Sequence, residues 1–161
     1  MKLSKEDYIA KISIATPLQL VIITYELVID FVDTAKEHFD TDESLYEENI
    51  KSAQNALIEL MSALDMQYEF SETLFQIYTY CSKLLMKAMF SKNVEELDVV
   101  NNMLCTLLDS WRKIEKDEAD TSSLMENSQT LYAGLTYRNG KLEEFIDEDR
   151  SKGYSVWWEN F

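Results

Sequence analysis

The chain has 161 residues, of which 46% are hydrophobic and 28% charged, a balance typical of a single globular domain with a buried core. It contains only three glycines and one proline, which favours a few long helices over many short strands and turns. Its formal net charge of −15 repels phosphate, so we expect neither nucleic acid nor an anionic lipid surface as a partner.

The first element predicted from the sequence is a short amphipathic segment over residues 3–13. It lacks the continuous apolar run and small-residue cleavage site of a secretory signal peptide. No later run reaches the roughly 18 uninterrupted apolar residues that suggest a membrane span, so we predict no membrane insertion. These observations favour a cytoplasmic protein.

The first long helix begins in "IATPLQLVIITYELVIDF", where Thr16 can cap the first amides and Pro17 suits the first turn. Its apolar residues form two stripes at three- and four-residue spacing. The first stripe comprises Leu18, Val21, Ile22, Tyr25, Val28, Ile29, Val32 and Ala35, and the second comprises Leu20, Ile23, Leu27 and Phe31. Together they cover roughly 200° of the helix, so the second stripe requires a surface beyond the core of a bundle to cover it.

Three further amphipathic helices are predicted in "DESLYEENIKSAQNALIELMSALD", "FSETLFQIYTYCSKLLMKAMF" and "NVEELDVVNNMLCTLLDSWRKIE". Short polar connections join them, and short connections make consecutive helices antiparallel neighbours. The sequence therefore predicts an all-α fold, an antiparallel up-down four-helix bundle with a short N-terminal helical segment and a C-terminal extension. The third long helix also carries apolar residues outside its main stripe, namely Phe75, Tyr78, Met86 and Met89.

The composition changes after about Lys116. We predict a bundle domain over residues 1–116 and an extension over residues 117–161, which begins with the acidic linker "DEADTSSLMENSQT". All three glycines lie in this extension, which could hold one short helix over residues 140–150. Its apolar residues could cover an apolar face of the bundle: Leu131, Tyr132, Leu135, Phe145, Trp157 and Trp158.

The sequence contains no residue pattern that indicates catalysis. The single histidine, His38, has no nucleophile or carboxylate at a spacing suited to a catalytic or metal site. There is no Cys-x-x-Cys pair and no glycine-rich phosphate loop, and Cys81 and Cys105 stand among apolar residues, as buried free thiols do. We therefore expect no enzyme activity, no metal and no cofactor. The surplus apolar surface could be covered by the N-terminal segment, the C-terminal extension, a second copy or a partner helix.

Four segments, taken in order, resemble the flagellar secretion chaperone FliS family. They are "IATPLQLVIITYELVIDF" with Tyr25, "IKSAQNALIELMSALD", "LFQIYTYCSKLL" with Tyr78 and Tyr80, and "ELDVVNNMLCTLLDSW", which ends at Trp111. The usual Ser-Pro of the family is Thr16-Pro17 here, and the chain after Lys116 is longer than the minimal bundle of the family.

The resemblance implies a cytoplasmic chaperone that holds the C-terminal region of flagellin, prevents its premature polymerisation and helps deliver it to the export gate. It also implies a hydrophobic groove, which helical phase places at Leu20, Ile23, Leu27, Phe31, Leu74, Tyr78 and Leu85. It further implies that the N-terminal segment occupies part of this groove without a client. Tyr8 and Ile12 are accordingly predicted to form an N-terminal plug.

A second interpretation stays open beside this one. The bundle could cover its second stripe with its own C-terminal extension or through a homodimer, and serve as an adaptor or regulatory protein with a different partner. The sequence does not decide between a monomer and a homodimer.

Overall fold

The structure, a computed structural model, describes residues 2–125, with side chains as far as residue 119. This part of the chain forms five helices and no strand: α1 (Lys5–Ile14), α2 (Pro17–His38), α3 (Glu43–Ser62), α4 (Glu69–Ser91) and α5 (Val94–Met125). The predicted all-α fold is confirmed. None of these helices has a run long and apolar enough to cross a bilayer.

Side-chain caps define where the first helices begin. The Thr16 hydroxyl accepts a hydrogen bond from the Gln19 amide at 3.2 Å, and the Gln19 side chain accepts one from the Thr16 amide at 3.0 Å. Pro17 follows at the first helical position, where its missing N–H costs nothing. Ser4 and Asp7 form the same reciprocal pair at the start of α1. α1 and α2 are therefore two separate helices rather than one continuous helix.

Helices α2 to α5 form an antiparallel bundle in which α2 and α4 each contact α3 and α5. The Gln19 side chain near the start of α2 donates to Glu115 of α5 at 3.1 Å, whereas Lys36 near the end of α2 pairs with Asp98 of α5. The Tyr46 hydroxyl, near the start of α3, donates to the Ala88 carbonyl near the end of α4 at 2.7 Å. These crossed pairings confirm the up-down topology.

The core lies between the four bundle helices. The first predicted stripe of α2 faces it, with Ile22, Tyr25, Val28, Val32 and Ala35 buried and Leu18, Val21 and Ile29 packed at its edge. Two buried tyrosines from different helices meet there, since the hydroxyls of Tyr25 and Tyr78 share a hydrogen bond. Each buried hydroxyl thus has a polar partner, as a buried polar group requires.

Two expectations need correction. The predicted linker does not begin at residue 117, because α5 continues to Met125 through a stretch with no glycine or proline to end it. Cys105 is exposed on α5 rather than buried, while Cys81 is buried as expected. The short helix predicted over residues 140–150 and the apolar residues of the extension lie outside the part of the chain that the structure describes.

Candidate functional site

The second apolar stripe of α2 forms an outer face that points away from the bundle core, and α1 lies across it. This outer face consists of Leu20, Ile23 and Leu27, with Phe31 partly buried at its edge. Tyr8, Ile12 and Ala15 pack against it and form an apolar cluster separate from the core. Leu27 keeps only 1% of its surface exposed under this cover. The structure thus brings the predicted plug residues onto four of the predicted groove residues, whereas their action as a plug stays a prediction.

The spacing of the apolar residues in α1 explains how it docks. Tyr8 and Ile12 are four residues apart and lie on one side of α1, and Ala15, the C-cap residue that follows the helix, packs in the same cluster. Isolated helices of this length are marginal in water, so α1 depends on the outer face of α2 for its helical state. Burying two large side chains contributes roughly 1.5–3 kcal/mol each, which opposes the backbone entropy of ordering the segment. α1 therefore packs at the edge of the fold, in a cluster separate from the core.

Polar contacts run along one edge of this cluster. The Tyr8 hydroxyl donates to the carboxylate of Asp30. The Lys11 ammonium lies 3.4 Å from Glu26, and the Lys2 ammonium lies 3.1 Å from Glu37. The order of these pairs shows that the N-terminal segment runs antiparallel to α2.

Burial of the ring, the hydrogen bond to Asp30 and the nearby negative charges of Asp30 and Glu26 raise the pKa of Tyr8 well above its ordinary value. Burial is the largest of these causes, and the Tyr8 ring is almost completely covered. The docked state therefore holds Tyr8 protonated as a hydrogen-bond donor.

Glu26 links three helices. Its carboxylate faces Lys11 of α1 on one side and lies 2.9 Å from the guanidinium of Arg112 of α5 on the other. Its side chain is only 20% exposed, so both attractions are screened less than those of a surface pair. The pair with Arg112 involves no residue of α1, so it gives the carboxylate a counter-charge within the bundle itself.

The predicted groove does not form one surface. Leu74, Tyr78 and Leu85 lie in the bundle core, not beside the outer face of α2, so placing them in a shared groove with Leu20, Ile23 and Leu27 was wrong. The reason is helical phase: they fall on one stripe with Cys81 and Ala88, all of which face the core. The hydrogen bond between Tyr78 and Tyr25 fixes this orientation.

A different set of α4 residues faces outward. Phe75 and Met86, which the sequence already places off the main stripe, are exposed, as is Phe90. Met86 and Phe90 follow Phe75 by 11 and 15 residues, so all three lie on one side of the helix. Met89, the other predicted off-stripe residue, packs partly against the core. In the described part of the chain, Phe75, Met86 and Phe90 keep 43%, 50% and 77% of their surfaces exposed.

Sequence reasoning missed the polar edge of the site. Glu26, Asp30 and Glu37 belong to the polar side of α2, which resembles an ordinary solvated surface. The usable signal is their spacing of four and seven residues, which puts them in one row, together with lysines in the N-terminal segment. His38 takes no part, because its Nδ1 contacts the Thr34 carbonyl of its own helix at 2.8 Å. Within the described residues no group of three or more His, Cys, Asp or Glu side chains is arranged to hold a metal.

Comparison with known proteins connects this arrangement to one family. The family model described as "Flagellar protein FliS" matches residues 3–118, a range that includes α1 to α4 and the greater part of α5. The chain is also 25% identical over 108 residues to the flagellar secretion chaperone FliS of Bacillus subtilis (strain 168), which covers 66% of this chain and 81% of that relative. The family match spans well over half of the sequence, and the chain belongs to the FliS family of flagellar proteins.

Proposed function

We propose that this protein is an export chaperone for flagellin and that it binds the C-terminal region of flagellin on the outer face of α2. Family membership supports the class of partner. One structural observation supports the location: the outer face is apolar, is not needed for the core, and is covered by a short helix at the edge of the fold.

The proposed mechanism is an exchange of helices. The partner segment displaces α1 and lays its own apolar side chains on Leu20, Ile23 and Leu27, as amphipathic helices do in hydrophobic grooves. A segment that is unstructured beforehand gains its helical order from the contact, so part of the interaction energy is consumed in ordering it. Covering the segment keeps it from polymerising before export, and release at the export gate completes the proposed cycle.

Competition with α1 sets the affinity in this mechanism. When α1 is docked on most molecules, the apparent affinity for a partner falls by the fraction of molecules whose outer face is free. Binding is then tight enough to hold the client and weak enough to release it. An export chaperone needs both properties.

The experiment is a calorimetric titration with a synthetic peptide covering the C-terminal helices of flagellin from the same organism. We expect saturable one-to-one binding with a negative heat-capacity change, because apolar surface is buried. Leu27→Asp should abolish this binding because it places a charge in the middle of the outer face. The matched control is Ile58→Asp, which adds the same charge at an exposed position of α3 and should leave binding unchanged.

Two results would contradict the proposal. Normal binding by Leu27→Asp, with helix content intact by circular dichroism, would show that flagellin binds elsewhere. Absence of binding by the wild-type chain would favour the alternative function, a self-covered adaptor with a different partner. The docking of α1 on its own chain is the observation that supports this alternative.

A further inference from the structure

The segment that already occupies the outer face of α2 shows what the site recognises. The N-terminal segment offers an apolar row of Tyr8, Ile12 and the C-cap residue Ala15, and along one edge of that row it offers hydrogen-bond donors. The apolar row explains affinity for amphipathic helices in general. The donors explain a preference among them.

The acceptors for these donors form a row on α2. Glu26, Asp30, Asp33 and Glu37 are spaced by four, three and four residues and lie on one side of the helix. Three of them contact the N-terminal segment, through Lys11, Tyr8 and Lys2 respectively. The fourth, Asp33, instead accepts a hydrogen bond from Asn101 of α5 at 2.6 Å. The contacts of the row therefore extend along the N-terminal segment from Lys2 to Lys11.

We propose that this carboxylate row selects the partner: the site accepts amphipathic helical segments with a lysine, arginine or tyrosine donor beside their apolar row, and rejects segments with an acidic residue there. The inference rests on the proposed function, in which a partner segment replaces α1. A donor restores the hydrogen bond or ion pair that α1 gave up, whereas an acidic side chain would meet a carboxylate of the same charge. The overall charge of −15 adds a longer-range attraction for basic segments.

The three contacts should not contribute equally. Lys2 and Glu37 are both well exposed, with 41% and 62% of their side-chain surfaces accessible, so water and salt weaken their attraction. Glu26 and Asp30 are less exposed and lie beside the apolar cluster, where charge is screened less. We therefore expect Glu26 and Asp30 to account for most of the discrimination among partners, and Glu37 for little of it.

The test uses the full-length chain with Ile12→Asp, which undocks α1 and frees the outer face, and a fluorescent peptide that copies residues 1–15, "MKLSKEDYIAKISIA". Binding is followed by fluorescence anisotropy at low and high salt. We expect the Lys11→Glu peptide to bind about fivefold or more weakly than the unchanged peptide at low salt. High salt should narrow this difference. The Lys2→Gln peptide should stay within about twofold of the unchanged peptide, because its contact is exposed.

The charge partner is identified by a double-mutant cycle. In a chain that carries Glu26→Gln together with Ile12→Asp, the penalty for the Lys11→Glu peptide should largely disappear. Tyr8→Ala replaces Ile12→Asp as the undocking change if the latter reduces helix content. Equal binding of the Lys11→Glu and unchanged peptides, or the same penalty with Glu26 and with Gln at position 26, would overturn the inference. No binding of the unchanged peptide would overturn it as well.

A failure of this inference can be distinguished from a failure of the proposed function. The flagellin titration of the wild-type chain and Leu27→Asp reports whether the outer face binds flagellin, whatever the charge of the segment. If flagellin binds but the charge of the peptide has no effect on peptide binding, the proposed function stands. The inference that the carboxylate row selects the partner is then wrong.

Discussion

Tyr8 of α1 and Asp30 of α2 are joined by a hydrogen bond at the border between an apolar cluster and a row of carboxylates. The ring of Tyr8 contributes apolar burial and its hydroxyl satisfies a half-buried acid. One side chain thus combines the two forces that hold α1 on the outer face. The proposed exchange of helices has to break these contacts.

Weakening α1 should strengthen partner binding. Ile12→Ala removes part of the apolar contact between α1 and the outer face, which costs about 2 kcal/mol or more of docking energy. If α1 competes with the partner, the apparent affinity for the flagellin peptide should rise, by up to about thirtyfold. The control is Ile14→Ala, since Ile14 is 85% exposed at the end of α1. Weaker binding by Ile12→Ala would mean that α1 helps to hold the partner.

High pH should release α1 through Tyr8. The docked state raises the pKa of Tyr8 by burial first and then by the bond to Asp30, while an undocked tyrosine ionises near pH 10. Docking energy is therefore fully present below about pH 10 and is lost as the pH rises above that value. For the measurement, a dye is attached to the thiol introduced by Ile14→Cys in a Cys105→Ser background. Its fluorescence anisotropy should fall as the pH rises above about 10.

The matched variant for that titration is Tyr8→Phe, which keeps the ring and removes the ionising group. The anisotropy of this variant should depend less on pH between about 10 and 12. Lysines also titrate in this range, but both proteins contain the same lysines, so the difference between the two curves reports the Tyr8 hydroxyl. Identical curves with and without the Tyr8 hydroxyl would contradict the assignment.

Tyr25 and Tyr78 should be energetically coupled. Their rings meet edge to face with centroids 6.0 Å apart, their hydroxyls share a hydrogen bond, and burial raises the pKa of Tyr25 to about 12. Tyr25→Phe or Tyr78→Phe alone removes the buried hydrogen bond between the two hydroxyls, at a cost of roughly 1–2 kcal/mol in the free energy of unfolding. The double variant should lose less than the sum of the two. Denaturant unfolding followed by circular dichroism measures all four proteins, and strict additivity would contradict the coupling.

The two cysteines should differ in reactivity. Cys81 is completely buried in the core and burial raises its pKa to about 11, whereas Cys105 is exposed on α5. A thiol reagent such as DTNB should modify Cys105 in the native protein and reach Cys81 only after denaturation. The Cys105→Ser variant should therefore show no fast reaction. Rapid modification of Cys81 in that variant would mean that the bundle opens around α4.

Much of the fold was predictable because local rules agree with one another. The Thr16 cap, Pro17 and the two apolar stripes of α2 define its start and its two faces. The end of α5 was harder, since an acidic stretch resembles a linker although nothing in residues 117–125 interrupts a helix. Local composition alone does not separate these two possibilities.

The site was predictable only in part. The apolar outer face of α2 follows from periodicity, but Tyr78 is equally compatible with a core and a surface until its hydroxyl partner, Tyr25, is known. Glu26 and Asp30 were missed for a related reason. Their partners, Lys11 and Tyr8, lie in another helix, and a contact of this kind leaves no mark on the periodicity of α2.

The most direct test of the central claim is hydrogen exchange of the full-length chain with and without saturating flagellin C-terminal peptide. If the partner takes the place of α1, the amides of Lys5–Ile14 should exchange faster in the complex, while the hydrogen-bonded amides of α2 stay protected. Unchanged or increased protection of α1 in a saturated complex would contradict the exchange of helices and place the partner on another surface.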